Sequence, residues 1–130
     1  MSDQTVLTGT YSQKDLRDLY ALSDVAVLAS TLEGLPLSVL EAQSMQTPVV
    51  AYANDGVTAA IIDGITGFLV PDGEYAKITE HLMVLEEDER KRNTMGHAAR
   101  FFVEENFSVQ ALAQRHESFY ANVMKGNSSE

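Results

Sequence analysis

The fold turns on Val25-Ala26-Val27-Leu28-Ala29, followed after Ser30, Thr31 and Leu32 by Glu33-Gly34-Leu35-Pro36-Leu37-Ser38-Val39-Leu40-Glu41. The first run is continuously apolar rather than alternating, which predicts a strand buried on both faces. Pro36 is tolerable only in the first turn of a helix, where its missing N–H would have no partner. That helix is therefore expected to start at Leu35 or Pro36 and to end near Met45. A buried strand feeding a helix is the repeating unit of a parallel α/β sheet. Glu33 falls where the chain leaves the strand and Glu41 about two helical turns later, with seven residues between them. Two carboxylates flanking a helix N-terminus suit a ligand with hydroxyls at both ends and negative charge between them. Each carboxylate accepts from neighbouring hydroxyls, and the N–H groups of a first helical turn favour an anion. A nucleotide diphosphate sugar has that layout.

Working outward, residues 5–8 read as a strand ended by Gly9. Ser12 is an N-cap, with Asp15 three residues on, and Leu16, Leu19, Tyr20 and Leu22 mark one helical face that stops near Ser23. Beyond the motif, residues 47–52 form the next buried strand, with Pro48 acceptable at its start. Asn54-Asp55-Gly56 reads as a polar loop, residues 58–62 as a short helix, and residues 67–70 as a last strand closed by Pro71-Asp72-Gly73. The remainder is helical: Ile78, Leu82 and Leu85 make one stripe and Met95, Ala98, Ala99 and Phe102 another. Ser108 caps a final helix carrying Leu112, His116, Phe119 and Val123. The expected architecture is α/β, a Rossmann-like parallel sheet of about four strands with flanking helices. Residues 1–124 would form one partial domain and residues 125–130 a polar tail.

Composition narrows the function classes. A chain of 130 residues, 45% hydrophobic, supports one core. A formal charge of -10 with only 9 Lys and Arg argues against nucleic-acid binding, which needs a basic face. The absence of cysteine excludes a disulfide scaffold and a thiolate metal site and fits a reducing cytoplasm. Nothing resembles a signal peptide, and no run approaches the roughly 18 to 20 apolar residues that span a bilayer. His81, His97 and His116 have no partner at a motif spacing and are expected to be structural or solvated. Phe101, Phe102, Phe107, Phe119 and Tyr120 are expected to dock helices, and Glu86-Glu87-Asp88-Glu89 before Arg90-Lys91-Arg92 to be a solvated helix junction.

Three signatures stand in order: Asp15-Leu16-Arg17-Asp18-Leu19-Tyr20-Ala21-Leu22-Ser23-Asp24, then the Glu33 to Glu41 motif with Ala42, then Thr47-Pro48-Val49-Val50-Ala51 followed by Asp63-Gly64-Ile65-Thr66-Gly67-Phe68-Leu69-Val70. Together with Glu104-Glu105-Asn106-Phe107-Ser108 they resemble the latter part of the C-terminal, donor-binding domain of family 4 glycosyltransferases of GT-B fold, the glycosyl transferases group 1. The resemblance implies sugar transfer with retention from a nucleotide diphosphate sugar to a glycan or lipid acceptor. It implies no metal and no cofactor beyond the donor itself. Glu33 would be the catalytic residue, accepting from hydroxyls of the transferred sugar and supporting charge at its anomeric centre, and Glu41 would hold the ribose hydroxyls. Gly34 and Leu35 would form the turn that approaches the sugar. Leu37 and Ser38 would present backbone N–H groups to the diphosphate, and Gly9 and Thr10 would lie beside the base.

Departures from the family pattern bear on completeness. The Arg and Lys that neutralise the diphosphate, and the acceptor-binding domain, belong upstream of anything resembling residues 5–9. Lys14 and Arg17 fall on the following helix and do not replace them. Gln46 stands where Gly is usual before Thr-Pro, and Ala59 where an acid is common. The expectation is half of a donor-binding domain, cytoplasmic or at the inner membrane face through other segments. The alternative is a non-catalytic binding or assembly module of the same descent. Two strands would be missing between residues 5–8 and 25–29, so either these pair directly or a second copy or partner chain fills the gap.

Overall fold

The computed structural model describes residues 4–31 and 34–126. Six helices and three strands follow in the order α1 (Gln13–Leu22), β1 (Ala26–Leu28), α2 (Leu37–Ser44), β2 (Val49–Tyr52), α3 (Asp55–Ala60), β3 (Gly67–Val70), α4 (Tyr75–Glu87), α5 (Glu89–Phe107) and α6 (Val109–Gly126) among these residues. The sheet is parallel, in the order β1-β2-β3, with Leu28 opposite Ala51 and Tyr52 opposite Val70. Alternation along β2 divides the core. Val49 and Ala51 face Val39 and Ala42 of α2 and Val57 and Ala60 of α3. Val50 and Tyr52 face Phe68, Ile78, Leu85 and Met95 on the side of α4 and α5. The fold is the expected α/β layering, with three strands rather than about four.

The missing strand is the one expected at residues 5–8, which has no regular structure; Val6 and Leu7 are 78% and 92% exposed. A single extended segment gains neither ladder hydrogen bonds nor burial unless a neighbour accepts it, and residues 5–8 do not pair with β1. β1 is thus an edge strand. Ala26 and Leu28 pack toward α2 and α3, but Val27, on the other face, is 47% exposed. Burial on both faces, expected from the apolar run, fails here because no described helix covers Val27.

Other boundaries follow local chemistry. Ser12 caps α1, accepting from the Asp15 N–H, and Ser108 caps α6, accepting from the Ala111 N–H. The supposed loop 54–56 opens α3 instead, because the Asn54 side chain accepts from the Val57 N–H at 3.1 Å and so starts a helix. α2 ends in a Schellman turn: the Thr47 N–H donates to the Ala42 carbonyl and the Gln46 N–H to the Gln43 carbonyl, each at 3.0 Å. Gln46 adopts φ 63 there, the left-handed conformation for which the family's glycine is suited. α5 crosses this turn at Gly96, which is buried. On α6, by contrast, Phe119 and Tyr120 are each 63% exposed, so they do not dock the helix as expected. Phe101 is likewise turned outward.

Candidate functional site

α2 begins on Pro36, whose side chain offers no capping bond. The Pro36 carbonyl accepts from the Val39 and Leu40 N–H groups, at 3.1 and 3.4 Å. The N–H groups of Leu37 and Ser38 are left as the first-turn donors that a helix cannot satisfy internally. Both residues are exposed, while Pro36 is buried and pins the start of the helix. Among the described residues neither N–H has an acceptor, so the helix presents two open donors at its positive end.

Glu41 stands one turn further along α2, half-buried. Its charge acts on Tyr20 of α1: the Tyr20 hydroxyl is pushed above the ordinary phenol value, first by burial and then by the Glu41 carboxylate. Tyr20 thus stays protonated near neutrality and retains its donor. Its backbone carbonyl accepts from the Thr47 hydroxyl at 2.6 Å, which fixes α1 against the start of β2. Tyr20, Ser38 and Val39 join Ala26, Val27, Leu28 and Val49 around a cavity of about 270 Å³ bordered by α1, α2, β1 and the start of β2. Tyr20 was read from the sequence only as part of a helical face, and spacing alone could not have assigned it to this wall.

Of the residues the sequence singled out, Gly34, Leu35, Leu37, Ser38 and Glu41 lie together on the turn into α2 and on α2 itself. Glu33 lies outside the described residues. A Cβ built on Gly34 would meet nothing within 4 Å among the described residues, so no described contact demands glycine there. Gly9, at φ 69, and Thr10 are exposed on the irregular segment before α1 and do not line the cavity. A larger groove of about 480 Å³, between Gly64 and Ile65 and the first turns of α5, contains none of these residues. Among the described residues no group of His, Asp and Glu could hold a metal ion, and no helix is long and apolar enough to cross a membrane.

An uncapped helix start beside a carboxylate lies at the C-terminal end of a parallel sheet, where open α/β folds bind their ligands. The family model described as Glycosyl transferases group 1 matches residues 1–102, and the chain belongs to that family. It is 34% identical over 106 residues to the capsular polysaccharide biosynthesis glycosyltransferase CapM of Staphylococcus aureus, spanning 82% of this chain and 28% of that protein. A sucrose-phosphate synthase from Thermosynechococcus elongatus superimposes with a TM-score of 0.84 at 26% identity, covering 95% of this chain and 31% of that one. Anabaena HepE, solved in complex with UDP-glucose, does so with a TM-score of 0.74 at 26% identity, over 83% of this chain and 30% of its own. The chain therefore spans about a third or less of the proteins it resembles.

Proposed function

We propose that this chain is the donor-binding part of a retaining glycosyltransferase that moves a sugar from a nucleotide diphosphate sugar to a glycan or lipid acceptor, working with segments that its longer relatives possess. The observation that carries this reading is the start of α2, where the Leu37 and Ser38 N–H groups, one turn from Glu41, have no acceptor among the described residues. In this reading the diphosphate caps α2 and Glu41 accepts from the ribose hydroxyls. Gly34 lets the chain pass close to the sugar, Leu35 flanks it, and Glu33, assigned from the motif alone, accepts from sugar hydroxyls and offsets charge at the anomeric carbon. Gly9 and Thr10 are assigned to the base on the family match alone. HepE's complex with UDP-glucose favours this class of donor. Saturation-transfer NMR with UDP-glucose tests the reading, and absence of transfer at millimolar donor would reject it for the isolated chain.

We further propose that a strand from a second copy or another chain completes the sheet beside β1. Among the described residues nothing pairs with the outer edge of β1, and Val27 lies half open beside it. Size-exclusion chromatography with light scattering should report an assembly that grows with concentration; a well-folded monomer at every concentration would contradict this. The cytoplasmic setting, at the inner membrane face where the acceptor is a lipid, belongs to the same proposal and is favoured by the absence of cysteine.

A further inference from the structure

α6 leaves the domain almost at once. Ser108 caps it, and the Arg115 Nη2 donates to the Asn106 Oδ1 at 3.1 Å, which holds its first two turns to α5. From Leu112 to Lys125 every residue is exposed. Val109, Leu112, His116, Phe119 and Val123 follow one another at intervals of three, four, three and four residues, and all five are exposed. That alternation is a heptad seam, the pattern by which one helix packs along another. A helix in a protein draws most of its stability from packing such a face, and among the described residues nothing covers this one.

We propose that a second copy of the chain covers this seam, its α6 pairing antiparallel with the first. α6 and the residues beyond it hold Arg115 and Lys125 against Glu117 and Glu130, so the formal charge of -10 lies wholly before α6. Two copies repel through their bodies and meet along α6 without bringing like charges together. Parallel helices would set the two acidic bodies side by side at the start of α6. Antiparallel helices hold them at opposite ends of about 27 Å, over three times the screening length of about 8 Å at physiological salt. The seam is self-complementary in that orientation. Leu112 meets Val123 of the second copy and His116 meets its Phe119, each layer occurring twice about the two-fold axis. His116, the polar member, gains a ring to stack on; the domain already stacks His81 on Phe68, with centroids 4.1 Å apart and planes within 12°. The area is sufficient. At about 200 Å² for a whole aromatic side chain, Phe119 and the flanking Tyr120, each 63% exposed, offer about 250 Å² per copy. That is half of the roughly 500 Å² that a specific interface needs from each partner, and Val109, Leu112 and Val123 supply the rest. The pairing does not rest on the donor-binding reading.

Phe119→Glu tests the seam, because glutamate is the better helix former yet its charge is costly to bury between two helices. In size-exclusion chromatography with light scattering, Phe119→Glu should weaken self-association of the chain at least tenfold. Ala121→Glu, on the side of α6 away from the seam, should leave it unchanged. A monomer at every concentration would overturn the pairing. So would an assembly that Phe119→Glu leaves at full strength, which would assign the contact to the edge of β1 instead. The chain has no cysteine, so Leu112→Cys and Val123→Cys, mixed and oxidised, report the orientation directly. The disulfide between position 112 of one copy and 123 of the other should exceed either same-site disulfide several-fold. Same-site disulfides in excess would overturn the antiparallel pairing.

Discussion

Gly96→Ala should destabilise the domain even though alanine is the better helix former. A Cβ at this position would stand 2.1 Å from the Gln46 carbonyl oxygen and 3.1 Å from its carbon. Carbon and oxygen atoms pack at about 3.5 Å, so α5 would have to lift by more than about 1 Å. The oxygen cannot yield instead, because the N–H groups of Gln46 and Thr47 on either side of that peptide group are both held by the Schellman turn. Lifting α5 would unseat Met95 and Ala99, both buried. Overpacking of this kind costs about 1–3 kcal/mol, and the overlap with an immobile backbone atom puts Gly96 at or above the upper end. The propensity gain from Gly to Ala returns about 1 kcal/mol, leaving a net loss of about 2 kcal/mol. With a urea slope of about 2 kcal/mol/M, the unfolding midpoint should fall by about 1 M. An unchanged or higher midpoint would refute the claim that α2 and α5 meet backbone to backbone at Gly96.

Three other outcomes follow from the same geometry. Gln46→Gly, at φ 63, should raise stability by about 1 kcal/mol in urea unfolding by removing the left-handed strain. Gly34→Ala should leave stability within about 0.5 kcal/mol, because the added methyl meets no described atom, yet it should weaken donor binding in an NMR titration. Tyr20 is raised above its ordinary value, so the unfolded chain ionises first as pH rises; the stability it contributes is full below about pH 10 and lost as pH climbs through the folded value. Tyr20→Phe should therefore flatten the alkaline decline of stability in thermal melts, and Glu41→Gln should make it smaller, by bringing the folded Tyr20 value closer to the unfolded one.

Much of the fold was legible because its signals are local. The apolar run at residues 25–29, the constraint at Pro36 and the caps Ser12 and Ser108 each act within a few residues, and β1, α2, α1 and α6 follow from them. What escaped depends on neighbours. Whether Val27 is covered, or residues 5–8 pair, is decided by what lies across the sheet edge, which local pattern does not encode. Asn54 read as a loop residue because asparagine favours turns and helix caps for the same reason, its short side chain bonding the nearby backbone. Its reach to Ser30, 24 residues away, is tertiary. Within the candidate site, the place of Leu37, Ser38 and Glu41 on one helix was legible from the motif, but the Tyr20 wall required α1 to be packed against α2.

In the proposed complex α2 receives a diphosphate while Glu41 receives a ribose. Amide chemical-shift mapping of the chain during titration with UDP-glucose, beside Glu41→Ala, tests it most directly. The largest shifts are expected at the Leu37 and Ser38 amides, with a loss of affinity of about 1.5–3 kcal/mol, more than tenfold, when Glu41 is removed, as for hydrogen bonds to a charged group. Saturating shifts elsewhere with Leu37 and Ser38 unmoved, or an affinity indifferent to Glu41→Ala, would contradict it.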